Sequence, residues 1–568
     1  MSQLENFRRQ APAPLSPHPI VIPTARETIL SNGLTVLVVE DQRLPLVSYR
    51  LALRVGTSCD PLKLPGLTDM VAGLLPEGTA SKTSREIADE VALMGASLTA
   101  GASSDYTIIA ASALAKFRDE ILGLMADVIL QPSFPENEVE LGKQNTKESL
   151  RQQRAQPSFL ATEMVSRIMF GSHPYSVVAP TPESLDALTR DDFVQFHREK
   201  FVPNNAVFIV VGDVRFDEIL QRIEKQFSNW EKGAELKTDF PAPPVRTRRS
   251  AYLVDRYGSA QSNIVIANSG ITRTSPDYFP MLLMHTVLGA TASSRLFMNL
   301  REEKGYTYGA YTNLDARRTA GTFRATAEVR TQVTGDSLKE FFYELNRIRS
   351  ERVSEKEIAD AKSYLTGVFP IRLETQEGLI EQLVQIKMLN LADDFLQTYR
   401  DRVQAVTLDD IQRVAIKYIK PDEAALIVVG DGARVVDQIK PYCDEIETYT
   451  TAGKRKEKTA DSNGQETTDV SGSWSIEIET PFGQNIPATL VITRDSSGLK
   501  GSVTSEMGEA DLGTIDLKDN SFQTRTSLKM DEHAVDVEIS ARFEGEQTQG
   551  TVTLQDSPPL PFLGSKTG

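Results

Sequence analysis

The chain has 568 residues, 40% hydrophobic and 25% charged, the composition of an ordinary soluble protein rather than a disordered or fibrous one, and its length points to roughly three to five domains. Its 78 acidic residues against 62 basic ones give a net charge of −16, which excludes a nucleic-acid partner bound through its phosphates. Two cysteines, Cys59 and Cys443, make neither a disulfide framework nor a metal-ligand spacing and suit a reducing compartment.

Residues 1–24 carry prolines at 12, 14, 17, 19 and 23 and no apolar core segment, so they read as an extended arm and not as a signal peptide. No apolar run approaches the roughly 18 residues of a membrane span. The expected location is cytoplasmic, or periplasmic where a signal sequence has been removed. In the first lobe, residues 25–231, strands are expected at 34–40 and 46–55 and a helix near 66–75. A capping box, Thr83-x-x-Glu86, then opens a helix that turns Ile87, Val91 and Met94 inward.

Residues 188–214, LTRDDFVQFHREKFVPNNAVFIVVGDV, align with 406–432, VTLDDIQRVAIKYIKPDEAALIVVGDG, at a constant offset of 218. Each copy reads as an amphipathic helix opened by Thr-x-Asp-Asp, a turn after proline and a buried strand stopped by Gly-Asp. A second match, at offset 210, sets 83–101 against 293–311. The chain therefore holds a duplicated α+β unit: the first lobe, a charged, proline-rich linker at 232–249, and a second lobe at 250–449, facing each other as a clamshell whose cleft is the natural site.

Within the second lobe, Ser293–Tyr311 reads SSRLFMNLREEKGYTYGAY. Arg295, Leu296, Asn299, Leu300 and Glu303 recur at helical spacing, and Gly305 suits the left-handed conformation that ends a helix. Tyr306, Thr307, Tyr308 and Tyr311 favour a strand, so Arg301 stands at a helix end and Tyr308 on the strand leaving it. On residue type alone, Arg301 pairs with a neighbouring glutamate and Tyr308 fills core. Residues 450–470 are polar, lack aromatics and read as a disordered linker. From 471 to 562 short alternating runs (Trp474/Ile476/Ile478, Ala488/Leu490/Ile492, Leu499/Gly501/Val503, Val535/Val537/Ile539, Val552/Leu554) indicate an all-β module, a small barrel or sandwich with no chemistry assigned to it.

NGLTVLVVED (32–41), GLTDMVAGLLPEGT (66–79), PSFPENEVE (132–140), HPY (173–175), PNNAVFIVVGDV (203–214) and SRLFMNLREEKGYTYGAY (294–311) together resemble the pitrilysin/insulinase family of zinc metallopeptidases, which carry an inverted H-x-x-E-H motif. The resemblance covers about residues 25–450. Where active members read G-L-x-H-x-x-E-H, this chain has Asp69 and Gly73 at the two histidine positions and Ala72 at the glutamate, so the zinc ligands and the general base are missing. The family's third ligand corresponds to Glu148, which reads better as a solvated helix residue. The five histidines, at 18, 173, 197, 285 and 533, are spread along the chain; His173 reads as a loop residue, His197 and His285 as packed helix positions, and none as a ligand.

Arg301 and Tyr308 match the family's arginine-x6-tyrosine pair. The resemblance implies that the arginine fixes substrate backbone carbonyls and that the tyrosine donates to the oxyanion of the scissile peptide. A chain with this pair and no zinc motif is similar to the non-catalytic subunit of the two-chain bacterial members. The short VLGATASSRL (287–296) sets it apart from the mitochondrial processing peptidase α-subunit, which has a long glycine-rich loop there. The expected partner is a homologous H-x-x-E-H-bearing subunit in a heterodimer, with zinc in that partner and no cofactor on this chain, and the expected substrate is an unfolded peptide added as an extended strand. The alternatives are an inert scaffold of the same fold, like the core subunits of respiratory complexes, and a self-sufficient homodimer with unusual metal chemistry.

Overall fold

The computed structural model describes residues 21–236, 239–456, 470–480, 485–495, 498–518, 520–530 and 533–567, without 555, 556 and 558. Most of the arm at 1–24 and of the linker at 450–470 lies outside the described residues. Strands β1 (Arg26–Ile29), β2 (Thr35–Glu40), β3 (Leu46–Leu53), β4 (Ser97–Ala102), β5 (Thr107–Leu114) and β6 (Ala206–Gly212) form one sheet in the order β1-β2-β6-β3-β5-β4. Strands β7 (Ser250–Asp255), β8 (Gln261–Ser269), β9 (Thr307–Ala316), β10 (Gly321–Arg330), β11 (Ala425–Gly430) and β12 (Ile446–Tyr449) form the second in the order β12-β7-β11-β8-β10-β9.

The duplication seen in the sequence is a duplication of topology. β6 lies between β2, to which it is parallel, and β3, to which it is antiparallel, and β11 lies in the same way between β7 and β8. Ahead of each central strand the repeated helix starts with a complete capping box, Thr189 with Asp192 and Thr407 with Asp410, and a short turn at proline follows it. The halves differ at the edge: β1 joins β2 antiparallel, whereas β12 joins β7 parallel.

Every residue of β6 and β11 is buried, a pattern that belongs to strands covered on both faces. One face of each sheet packs on its own lobe's helices. Val36, Val38, Tyr49, Leu51, Phe208 and Val210 do so in the first lobe. The opposite face is covered by a helix of the other lobe. Helix Gln376–Met388, from the second lobe, lies on β3 and β6, so that Leu37, Val39, Val207 and Ile209 share a core with second-lobe residues. Helix Pro157–Phe170, from the first lobe, lies on β8 and β11 and buries Leu160, Ala161, Met164, Val165 and Phe170 against Val254, Val265, Ile427 and Val429. The lobes are thus joined by exchanged helices.

The all-β module is a closed barrel of eight sequential antiparallel strands: β13 (Gly472–Glu479), β14 (Asn485–Asp495), β15 (Gly498–Ser505), β16 (Gly508–Ile515), β17 (Ser521–Met530), β18 (His533–Glu544), β19 (Gln547–Leu554) and β20 (Leu560–Lys566). The alternating runs mark five of these strands. β16, β17 and β20 escape them, and β20 extends past the expected limit at 562. Trp474, Leu490, Phe522, Phe543 and Phe562 fill the interior, as side chains do in a barrel of this size.

The barrel is docked and not merely tethered. Its Arg542 guanidinium lies 3.5 Å from the buried Asp255 carboxylate at the end of β7, which also accepts from Lys456 at 2.8 Å, and the backbone N–H of Tyr257 donates to Gln549. The expectation of a linker disordered from 450 onward is corrected at its start. Residues 450–456 fold back on the second lobe, with Arg455 bridged to Tyr449, because Asp255 holds Lys456 there. Among the described residues no helix is long and apolar enough to cross a membrane.

Candidate functional site

The segment that carries Arg301 and Tyr308 is anchored from beneath. A short helix, Arg295–Phe297, passes into a more widely wound turn, Met298–Glu303, with Leu296 and Leu300 fully buried. Arg295 grips Glu357 through two hydrogen bonds, Nε to Oε1 at 2.6 Å and Nη2 to Oε2 at 3.1 Å. Burial works to raise the Glu357 pKa, but the hydrogen bonds from Arg295 and Ser354 outweigh it and hold the carboxyl near about 2. Asn299 donates to Glu344 at 3.0 Å and to Glu340 at 3.1 Å. Gly305, at φ +63°, ends the turn in the left-handed region, and the chain enters β9 at Thr307.

Arg301 lies on this surface with 41% of its side chain exposed, ion-paired to Glu302 and with its guanidinium 5.4 Å from the centre of the Phe297 ring. The expectation that Arg301 pairs with a neighbouring glutamate therefore holds. The expectation that Tyr308 fills core does not: Tyr308 is 90% exposed, because a bulge in β9 turns it out of the sheet. A tyrosine held in water with no packing role is available to something outside the chain.

The positions expected for the zinc motif lie at a pocket in the first lobe. Helix Leu67–Leu74 begins at Gly66, whose φ of +96° and close approach to Pro180 leave no room for a Cβ. Asp60 caps the helix, accepting from the backbone N–H of Gly66 at 2.8 Å and of Thr68 at 2.9 Å. Asp69 and Gly73 line a cavity of about 330 Å³ together with Met70, Leu74, Glu77, Glu138 and Asn145. Asp69 reaches solvent through the cavity, yet crowding by protein and the nearby Asp60 carboxylate push its pKa up to about 6.

Only first-lobe residues wall this cavity, so it is not the inter-lobe cleft expected from the sequence. Glu148 is exposed, ion-pairs with Arg151 at 3.6 Å and stands outside the wall. Glu77, Glu138 and Asn145 stand in the wall instead. Sequence reasoning passed them over because no motif marks them and only the phase of helix Glu136–Ala155 sets Glu138 and Asn145 on the side that lines the cavity.

Residues 35–181 match the family model described as Insulinase (Peptidase family M16), and residues 187–365 match the model described as Peptidase M16 inactive domain. The chain belongs to the insulinase (M16) family. It is a member of the non-catalytic type, since its motif positions hold Asp69, Ala72 and Gly73. Among insulinase-family relatives, a Bacillus subtilis protein described as the uncharacterized zinc protease YmxG is 22% identical over 405 residues, 71% of this chain and 97% of its own length. A Helicobacter pylori protein described as the non-peptidase homolog YmxG is 24% identical over 399 residues, 70% of this chain and 91% of its own. The crystal structure of a peptidase M16 inactive domain from Pseudomonas fluorescens superposes with a TM-score of 0.68 at 24% identity, covering 72% of this chain and 98% of its own.

Zinc, which the insulinase family implies, does not fit the residues present. Gly73 offers open space where a ligand side chain would stand, Ala72 is fully buried, and Glu148 is turned away. Among the described residues no group of three or more His, Cys, Asp or Glu is arranged to hold a metal. Three histidines have structural work. His173 is buried, accepts from the backbone N–H of Tyr175 at 3.1 Å and meets Thr319 of the other lobe at 3.1 Å. His197 bonds the carbonyl of Ile129 at 2.8 Å and His285 the hydroxyl of Thr312 at 2.6 Å. Burial lowers the pKa of both to about 4.

Proposed function

We propose that this chain is the non-catalytic subunit of a heterodimeric zinc metallopeptidase, binding unfolded peptide and supplying Arg301 and Tyr308 to the zinc site of a homologous, H-x-x-E-H-bearing partner. The observation that carries this reading is the exposure of Tyr308, a large aromatic side chain that gains nothing for the fold by standing in water. In the partner's site its hydroxyl donates to the developing oxyanion, a contact of the kind whose removal costs roughly 10²–10³ in turnover. The Arg301 guanidinium is a forked donor suited to backbone carbonyls, and its exposed pairing with Glu302 is worth little and easily exchanged. Zinc belongs to the partner, and no residue of this chain is assigned to it.

The test mixes the purified chain, the zinc-bearing homologue and a labelled unstructured peptide. Cleavage well above that of the homologue alone, lost in Tyr308→Phe, is expected; no gain on mixing refutes the reading. An inert scaffold of the same fold is the second reading, favoured by the fact that Arg301 already has a partner in Glu302. On that reading Arg301 and Tyr308 variants leave every property of the complex unchanged.

A further inference from the structure

The way β9 presents Tyr308 assigns a role to a residue that the sequence motif does not mark. β9 and β10 run in register from Gly321 opposite Ala316 to Ala327 opposite Ala310, and the next pair is Val329 opposite Thr307. Two residues of β9, Tyr308 and Gly309, therefore face the single residue Glu328. This is a β-bulge, a device that re-aims a side chain and recurs beside active sites.

A bulge breaks the ladder and leaves backbone groups to be satisfied in another way. Here the Thr307 hydroxyl satisfies them. It donates to the Glu328 carbonyl at 2.6 Å and accepts from the Gly309 N–H at 3.1 Å, so one side chain bridges the strand that bulges and the strand that does not. The neighbouring positions fit the same arrangement. A Cβ on Gly309 would stand 2.4 Å from the Tyr311 ring, so only glycine lets that ring lie across the bulge.

We propose that Thr307 is a positioning residue for Tyr308: its hydroxyl pins the bulge that holds the tyrosine out of the sheet and at a fixed place over the partner's site. This rests on the proposed role of Tyr308 and adds to it the part that sets the phenol's position. Valine matches threonine in shape but has neither donor nor acceptor, so in Thr307→Val the Gly309 N–H and the Glu328 carbonyl lose their bridge and the bulge is free to shift. Displacing a reacting group by about 1 Å costs on the order of 10²-fold in rate.

The experiment measures kcat and KM of the reconstituted heterodimer on a labelled unstructured peptide. Thr307→Val is expected to lower kcat roughly ten- to hundred-fold with KM unchanged, and Thr307→Ser, which keeps the hydroxyl, to restore it. In the Tyr308→Phe background Thr307→Val is expected to have no further effect, because a residue that acts through the phenol has nothing left to position. Should Thr307→Val not fold, Thr307→Ala read against Thr307→Ser makes the same comparison. Parental kcat in the hydroxyl-less variant, or an equal loss in the Tyr308→Phe background, overturns the inference while leaving the role of Tyr308 standing. Parental kcat in Tyr308→Phe itself overturns both.

Discussion

The backbone N–H of Arg318, in the β9–β10 turn of the second lobe, donates to the carboxylate of Asp105, in the β4–β5 turn of the first, at 3.1 Å. The Arg318 side chain lies against the same carboxylate, Nε to Oδ1 at 3.6 Å, with 11% of the arginine and 6% of the aspartate side chain exposed. Tyr175 donates to Asp105 from a third direction. Removing one member of so buried a pair leaves the other charge without compensation, and two nitrogens of the Arg318 guanidinium already lack hydrogen-bond partners. Asp105→Ala is therefore expected to cost about 3–5 kcal/mol, read from the denaturant midpoint. A loss no larger than that of a surface substitution would show that the contact between the turns is dispensable.

The exchanged helices make a second prediction about the same junction. Leu160 is 3% exposed in a core shared with β8 and β11 of the other lobe. Leu160→Ala is expected to cost about 2–5 kcal/mol and to lower the melting of both lobes in a single transition, followed by calorimetry. Residues 250–449 expressed alone would expose Val254, Val265, Ile427 and Val429 to water and should bind hydrophobic dyes. A second lobe that melts cooperatively by itself contradicts this account.

These two junctions were beyond the reach of the sequence, and the reason is physical. Periodicity shows that Leu160, Met164 and Val165 form an apolar face, but nothing in a one-dimensional pattern says whose sheet that face will cover. Local features fared better, because capping boxes, the glycine stop at Gly305 and the buried runs at 206–212 and 425–430 are decided within a few residues. The barrel was legible where apolar residues alternate. β17, SFQTRTSLKM, carries threonine or charge at four of its ten positions, and β20 opens with proline at its second residue, so neither gives the signal. At the site, the positions of Arg301 and Tyr308 could be read, but the bulge could not: a bulge is a mismatch between two strands, and the hydroxyl that holds it looks like any strand threonine.

Tyr308 and Arg301 separate stability from activity. Because Tyr308 is 90% exposed and Arg301 41%, Tyr308→Phe and Arg301→Ala are expected to leave the melting temperature of the chain unchanged while, on the proposed function, lowering peptide turnover of the proposed heterodimer by roughly 10²–10³ for the tyrosine. Parallel scans of thermal melting and cleavage check both halves of the statement. A fall in melting temperature that matches the fall in activity would return Tyr308 to a structural role.

Asp69 stands where an active relative has a zinc ligand, and its raised pKa has a definite sign in the stability of the chain. The folded carboxyl protonates near pH 6 and the unfolded one near about 4, so the fold is penalised above pH 6 and relieved as the pH falls toward 4. Asp69→Asn mimics the protonated form. It should be more stable than the parent at pH 8, by an amount that shrinks through pH 6 and vanishes near about 4. A stability difference that does not change with pH would mean that Asp69 titrates as an ordinary exposed carboxylate.

His197 and His285 act in the same window with the opposite sign. Each is half-buried as the neutral ring with its pKa lowered to about 4, whereas the unfolded ring takes a proton near 6.5. Between those values the unfolded chain binds more protons than the folded one, so stability is full above pH 6.5 and is lost as the pH falls toward 4. Two such rings outweigh the single carboxyl of Asp69, and the net slope should be a loss on acidification. His197→Gln, which keeps a donor for the Ile129 carbonyl, should start less stable at neutral pH because its amide gives up the ring contacts with Phe134 and Phe201. From there its stability should fall less steeply than the parent's between pH 6.5 and 4, measured as unfolding free energy against pH; parallel slopes would mean that His197 is protonated in the fold.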